Sequence, residues 1–326
     1  MIITRTPLRI SLAGGGTDLP AFYTRSFGAV VSFTIDKYVT VAINPTFDRN
    51  VRVSYSRTEN VERVEDLHHD IVRETLTHFG VGGMEVLTVS DIPGEGSGLG
   101  SSSALAVGLS LALRKWTNRR TNIDPVFLAE EAHTIERILC GHPVGKQDHF
   151  AAACGGLRAY RFESNEDVIV RIIEMTPEQK TFLENDMMLF WTGIKRKSEP
   201  ILKELERNLR QEEITQNLAT QLRDIAVELG VDLLDGNFGG IPKQLHEGWM
   251  LKRRMADGIT DQNLDALYNA ALRAGAGGGK LLGAGGGGFF LFAGCWNHHQ
   301  EIERAIRLRH VPFHIELNGS TVIYNG

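Results

Sequence analysis

Cysteine is scarce in this chain, with Cys140, Cys154 and Cys295 the only three among 326 residues. They are widely spaced and sit in apolar or glycine-rich surroundings, which argues against a disulfide framework or a zinc cluster and predicts buried free thiols. The adjacent pairs His68-His69 and His298-His299 have no further ligand at metal-site spacing. Neighbouring helical positions point in different directions, so these histidines are expected to be solvated or capping groups. No apolar run is long enough to span a bilayer, and Met1-Ile2-Ile3-Thr4-Arg5 lacks a basic segment leading into a signal-peptide core. A cytoplasmic protein is the expectation. A dominant charge is also missing. With 40 acidic and 35 basic residues interspersed and a net charge of −5, the chain has no overall electrostatic reason to bind nucleic acid or anionic membrane. Small molecules are the expected partners, and the oligomeric state is left open.

Two common nucleotide signatures are absent. A Walker loop needs Gly-Lys followed by Ser or Thr, but Gly145-Lys146 is followed by Gln147 and Gly279-Lys280 by Leu281. The protein-kinase set of glycine loop, strand lysine, His-Arg-Asp and Asp-Phe-Gly is missing too. Internal repeats, low-complexity tails and Pro/Ser-rich linkers are not found.

Glycine is abundant, and its clustering is informative. The stretch from Pro93 through Gly94, Glu95, Gly96, Ser97, Gly98, Leu99, Gly100, Ser101, Ser102 and Ser103 to Ala104 runs directly into the apolar Leu105-Ala106-Val107. This is the form of a phosphate cradle. Glycines let the backbone approach an anion, the first N–H groups of a helix point at it, and hydroxyls add hydrogen bonds or a metal contact.

The hydrophobic content of 42% in a chain of this length supports a sizeable core and two domains, divided near 165 into 1–165 and 166–326. Strands are expected over 2–12, 29–43, 51–55, 84–89, 157–162, 168–173, 187–191, 280–282 and 289–292. Helices are expected over 67–78, 103–116, 125–140, 200–208, 214–229, 239–255 and 264–274. Strands come first and helices after, unlike the alternation of a doubly wound sheet. Gly283, Gly285 and Gly288 fit a dinucleotide fingerprint, but that motif should open a helix, and residues 289–292 read as a strand. The run instead predicts a tight turn where the second domain closes on the ligand, with Gly285 and Gly286 near the substrate.

Three glycine motifs thus stand in order: Pro7-Leu8-Arg9 with Leu12-Ala13-Gly14-Gly15-Gly16-Thr17-Asp18, then the central loop, then Leu282-Gly283-Ala284-Gly285-Gly286-Gly287-Gly288. Their arrangement resembles the GHMP small-molecule kinases, nearly end to end. The resemblance implies an α+β fold of two domains, an N-terminal one like ribosomal protein S5 domain 2 and a ferredoxin-like C-terminal one, with the active site between them. It implies ATP and Mg²⁺ as cofactors. The nucleotide would lie on Gly96, Gly98, Leu99, Gly100, Ser101, Ser102 and Ser103. Aligning on Gly98-Leu99-Gly100 makes Ser102 the magnesium-binding serine, with Ser101 the near alternative.

The segment from Glu136 to Asp148 ends in Gly145-Lys146-Gln147-Asp148. It resembles the family segment that carries a magnesium-binding glutamate and a catalytic aspartate, roles that pass to Glu136 and Asp148. The spacing is one residue longer than in mevalonate kinase. Arg9 stands where galactokinase-like members place an arginine near base and transferring phosphate.

Gly15, Gly16, Thr17 and Asp18 resemble the sugar-kinase form of the first motif, whose aspartate accepts hydrogen bonds from sugar hydroxyls. Together with Val144-Gly145-Lys146-Gln147-Asp148 and Thr192-Gly193, the segment 6–18 looks most like the D-glycero-D-manno-heptose 7-phosphate kinase group of the family. That resemblance implies phosphorylation of the anomeric hydroxyl of a sugar phosphate to the 1,7-bisphosphate. A fucokinase, a galactokinase-like sugar 1-kinase and a non-catalytic sugar-sensing protein on the same fold are the alternatives. For the acceptor's own phosphate, Lys146, Lys195 and Arg196 are the candidate cations, with Lys197 beside them and the N-terminus of a helix following. His246, Trp249 and Lys252 share one later helix, without a derivable role.

Overall fold

The computed structural model describes residues 1–93, 96–118 and 122–326; Gly94 and Glu95 of the expected phosphate cradle lie outside the described residues. In chain order the elements are β1 (Ile2–Ala13), α1 (Pro20–Tyr23), β2 (Gly28–Pro45), β3 (Val51–Ser54), β4 (Thr58–Val61), α2 (Asp70–Phe79), β5 (Met84–Ser90), α3 (Ser101–Asn118), α4 (Pro125–His133), α5 (Gln147–Cys154), β6 (Leu157–Phe162) and β7 (Val168–Ile172). They continue as α6 (Pro177–Asp186), β8 (Met188–Trp191), α7 (Glu199–Gln211), α8 (Glu213–Leu234), α9 (Ile241–Lys252), α10 (Gln262–Arg273), β9 (Gly278–Leu281), β10 (Phe289–Ala293), α11 (His299–Ile306), β11 (Arg309–His310), β12 (Ile315–Glu316) and β13 (Thr321–Asn325).

Two sheets organise the chain. The larger runs β13-β1-β2-β5-β3-β4. β2 is its hub, because its 18 residues are long enough to serve several neighbours along one edge. Gly28 to Phe33 pair with β6, Thr34 and Ile35 with β12, and Val39 to Pro45 with β5, while β1 runs along the opposite edge. Most ladders are antiparallel, and among the described residues only the β3–β5 pair is parallel. This is the α+β pattern the sequence suggests.

The smaller sheet is antiparallel, in the order β11-β8-β10-β9, and both of its faces are covered. Phe290 and Phe292 join Met188, Phe190, Trp249 and Tyr268 in one apolar cluster, whereas Phe289, Leu291 and Leu189 join the cluster that fills the larger sheet. A strand buried on two sides needs no polar alternation, which explains the unbroken Phe-Phe-Leu-Phe run.

Several expectations are corrected. The boundary expected at 165 falls in the turn of the β6–β7 hairpin, and β12 and β13 return to pair with β2 and β1 in the larger sheet. Long-range pairing of this kind leaves no local signal. The helix expected over 125–140 is α-helical only to His133 and continues as a π-helical turn, Thr134–Leu139. α3 opens at Ser101, two residues before the expected start. The three cysteines are free, but only Cys295 is fully buried; Cys140 and Cys154 are partly exposed. Among the described residues no helix is long and apolar enough to cross a membrane.

Candidate active site

The ends of β1, α3, α5, α9 and β9 meet around a cleft of about 390 Å³. Its walls include Arg9, Ser11, Gly15, Gly16, Asp18, Gly96, Gly98, Gly100, Ser101, Ser102, Glu136, Asp148, Arg196 and Gly285. All of these except Ser11 are candidate site residues from the sequence, and further lining residues such as Leu19, His142, Leu202, Leu205, Lys252 and Lys280 are not.

β1 explains the position of Arg9. Leu8, Ile10 and Leu12 are packed in the core, and Arg9 between them is 3% exposed, its guanidinium lying along the cleft. Its Nε donates to Asp148 Oδ1 at 2.8 Å and Nη2 donates to Oδ2 at 2.6 Å, a two-point fork. Nη1 donates to the Gly98 carbonyl at 2.6 Å, tying the fork to the glycine loop. Asp148 lies in the first turn of α5, where the helix dipole favours a carboxylate. Gln147 Nε2 donates to Asp148 Oδ1 at 2.9 Å and is itself held by Ser11 Oγ at 2.7 Å. The pair is therefore locked from both ends.

Asp18 stands beside this pair. Oδ1 accepts from the Gly16 N–H at 2.9 Å and Oδ2 from the Gln147 N–H at 3.1 Å. Burial, then the Asp148 charge, raises its pKa above the ordinary carboxylate value. The segment after Pro143 can lie on this carboxylate because Gly145 has no side chain; a Cβ there would run into Asp18 Oδ2.

The glycine loop packs against the second glycine run. Gly98 and Gly283 both have left-handed φ, +74° and +68°, and a Cβ on either would come within 2.5 Å of the other segment's backbone. Only glycine backbones can meet this closely. α3 then begins at Ser101, so its first N–H groups have no intrahelical partners.

Glu136 projects from the π-helical turn and is fully buried at the side of the cleft. π-turns reset the register of a helix and so re-aim a side chain. Ser103 Oγ donates to Glu136 Oε2 at 2.8 Å, and His149 Nε2 is 2.7 Å from the same oxygen. His142 Nδ1 stands 3.7 Å from Oε1, while its Nε2 pairs with Asp70 Oδ2 at 2.8 Å. Burial alone would raise the Glu136 pKa, but His142 and His149 hold it well below the ordinary value. The hydrogen bond to Asp70, followed by the nearby Glu136 carboxylate, pushes His142 up to about 10. Glu136 Oε1 has no hydrogen-bond partner among the described residues. A buried, ionised carboxylate with one oxygen lacking a donor within hydrogen-bond distance, beside the exposed Ser102 hydroxyl, fits a hard cation that takes oxygen ligands and draws the rest from phosphates and water.

Other expected site residues are placed differently. Lys146 turns away from the cleft: its Nζ pairs with Glu166 Oε2 at 2.6 Å and donates to the Glu166 carbonyl at 2.7 Å. Lys195 is exposed and does not line the cleft. Thr17 is buried, its Oγ1 donating to the Gly14 and Ala29 carbonyls, so it shapes the motif from behind. Leu99 is a core side chain whose N–H is directed to Ser97 Oγ at 3.4 Å, and Ser103 is occupied by Glu136. Gly286 packs on the Arg196 side chain, and it is Gly287 that reaches the cleft wall.

Sequence reasoning assigned no role to Lys252, Lys280, Gln147, Ser11 or His142, all of which line the cleft. A lysine in the otherwise apolar and glycine-rich segment around Lys280 was the one available signal.

The family model of the GHMP kinases N terminal domain matches residues 66–156, and that of the GHMP kinases C terminal matches 231–309. The chain is 31% identical over 304 residues to the D-glycero-alpha-D-manno-heptose 7-phosphate kinase of Campylobacter jejuni, covering 89% of this chain and 88% of that one. It is 26% identical to the galactokinase of Pyrococcus furiosus, covering 88% and 87%. Among solved structures, a D-glycero-D-manno-heptose 1-phosphate kinase from Bacteriodes thetaiotaomicron superposes with a TM-score of 0.78 at 25% identity over the whole of both chains. The chain belongs to the GHMP kinases, and its two-sheet architecture is their two-domain fold. It is an ATP-using phosphotransferase with an alcohol acceptor, and within the family a sugar kinase similar to the heptose phosphate kinases.

Proposed function

We propose that this enzyme transfers the γ-phosphoryl group of ATP to the anomeric C1 hydroxyl of D-glycero-D-manno-heptose 7-phosphate, giving the 1,7-bisphosphate, a precursor for nucleotide-activated heptose and surface polysaccharide. The observation that carries the reading is the convergence of the Arg9–Asp148 fork and the Asp18 carboxylate in one cleft at the start of α3. Similarity to the Campylobacter jejuni heptose 7-phosphate kinase supports the choice of acceptor.

The nucleotide phosphates lie against the glycine loop and the free N–H groups that open α3, a geometry suited to anions. Asp18, backed by Gly15 and Gly16, accepts hydrogen bonds from the sugar hydroxyls and fixes the acceptor. Asp148 takes the proton from the C1 hydroxyl as that oxygen attacks the γ-phosphorus. The phosphorus–oxygen bond to ADP breaks, and ADP leaves with its electron pair. Arg9 holds Asp148 in place and offsets negative charge at the transferring group. Ser102 and Glu136 would hold Mg²⁺, which supplies charge neutralisation on the phosphates when bound. Arg196, whose Nε is buried without a partner among the described residues, faces the same cleft as a cation for phosphate.

The test is Mg-dependent ADP release with heptose 7-phosphate, fucose, galactose and mevalonate side by side, with the phosphorylated carbon located by NMR. Turnover confined to heptose 7-phosphate with product at C1 is expected. Preferred turnover of fucose or galactose would replace the acceptor while leaving the kinase chemistry intact.

A further inference from the structure

Two cations in the cleft have no part in the chemistry above. Lys252 ends α9 and Lys280 lies in β9; they are 7% and 5% exposed, and both line the cleft. Lys252 Nζ donates to the Gly283 carbonyl at 2.8 Å and Lys280 Nζ to the Leu12 carbonyl at 3.4 Å. Neither makes an ion pair among the described residues. An ammonium group has three donors, so each lysine keeps two unused.

The nearby anions are already engaged. Asp148 is forked by Arg9, Glu136 is met by Ser103 and His149, and both oxygens of Asp18 accept backbone N–H groups. Burying one unpaired ammonium is expensive, and burying two side by side adds their repulsion. A tether to a single carbonyl does not need a charge at all. Burial pushes Lys252 down to about 8, and burial followed by repulsion from Lys252 and Arg9 lowers Lys280 far below the ordinary lysine value. The position is equally telling. A Cβ on Gly15, in the motif that carries Asp18, would sit 3.4 Å from Lys252 Nζ.

We propose that Lys252 and Lys280 together form a phosphate-binding floor in the cleft, whose ligand is a phosphoryl dianion: the γ-phosphoryl group in transfer or the phosphate carried by the acceptor. The assignment rests on the reading of the cleft as a sugar-phosphate kinase site and adds the residues that meet the charge. The ligand's arrival supplies the counterion that the fold withholds.

Calorimetric titration of the full chain with heptose 7-phosphate, unphosphorylated heptose, the ATP analogue AMPPNP and ADP tests this in wild type, Lys252→Met, Lys252→Arg and Lys280→Met. The Met variants are expected to lose affinity for a phosphorylated ligand on the order of 10- to 100-fold, the range for a hydrogen bond to a charged group, with Lys252→Arg recovering part of it. Free heptose binding stays unchanged, and the melting temperature of the ligand-free Lys252→Met protein equals or exceeds that of wild type. Loss confined to heptose 7-phosphate assigns the acceptor's phosphate, and loss on AMPPNP without loss on ADP assigns the γ-phosphoryl group. Equal loss on free heptose, no loss on either phosphorylated ligand, or a lowered melting temperature with all ligands weakened together overturns the proposal. Should wild type bind AMPPNP but not heptose 7-phosphate, the acceptor reading fails, and the AMPPNP and ADP arms still decide the role of the lysines.

Discussion

Arg9 and Asp148, 139 positions apart in the chain, meet through two hydrogen bonds at 2.8 and 2.6 Å, one to each carboxylate oxygen. Such a fork fixes the plane of the carboxylate as well as its distance, which a lysine at position 9 could not do. Asp148 is partly exposed, with its side chain 26% accessible, against 4% for Arg9. The acid faces the cleft and the arginine backs it.

Replacing Asp148 with Asn keeps the shape and removes the base. Turnover should fall by roughly 10²–10⁴-fold, the usual contribution of a general base, while AMPPNP affinity remains near that of wild type. Steady-state kinetics paired with nucleotide titration measures both, and near-normal turnover would remove Asp148 from the role.

Ser102 and Ser103 both stand beside Glu136, but Ser102 is exposed in the cleft and Ser103 is buried. Ser103→Ala removes one of the two groups that meet Glu136 Oε2, leaving His149, and should cost about 0.5–1.5 kcal/mol of stability in urea unfolding. Ser102→Ala should unfold like wild type yet require more Mg²⁺ for half-maximal rate. A matching stability loss in both variants would count against Ser102 as a metal ligand.

The buried ammonium of Lys252 carries a pH signature. Its folded pKa of about 8 lies below the ordinary 10.5, so between these values the unfolded chain holds a proton that the folded chain does not. Stability from this group therefore rises with pH across that window, and its burial is most costly below it. The charges facing it are Asp18 and Asp148, which favour the protonated form, and Arg9 and Arg196, which oppose it. Lys252→Met should exceed wild type in urea midpoint at pH 7, and the gap should close towards pH 10.5. A gap that stays constant with pH would show that Lys252 titrates alike in the folded and unfolded chain, so that burial does not lower it.

Much of the site was legible because the chemistry is carried by short, ordered motifs. Glycine spacing located the loop before α3, and the residues at positions 9, 18, 102, 136 and 148 all reach one cleft. What escaped depends on geometry that local sequence does not encode. The π-helical turn that aims Glu136 inward has ordinary helical composition, since a shifted hydrogen bond changes no residue type. Lys146 is two positions from Asp148 yet faces Glu166, because the chain enters α5 between them. On α9 the sequence presented His246, Trp249 and Lys252 as equals. Trp249 is fully buried beside Tyr268, His246 Nδ1 meets the Tyr268 hydroxyl at 2.8 Å, and only Lys252 reaches the cleft. Tertiary packing separates their roles.

The pairing of β13 with β1 has a temporal consequence. The strand bearing Arg9 is made before its outer neighbour, Thr321–Asn325, which follows about three hundred residues later. Throughout synthesis, the outer edge of β1 from Ile2 to Arg5 presents unpaired backbone groups, a template for pairing with another nascent chain. Protection of that edge must come from elsewhere until β13 is made, and a chain lacking residues 321–325 would keep the edge open.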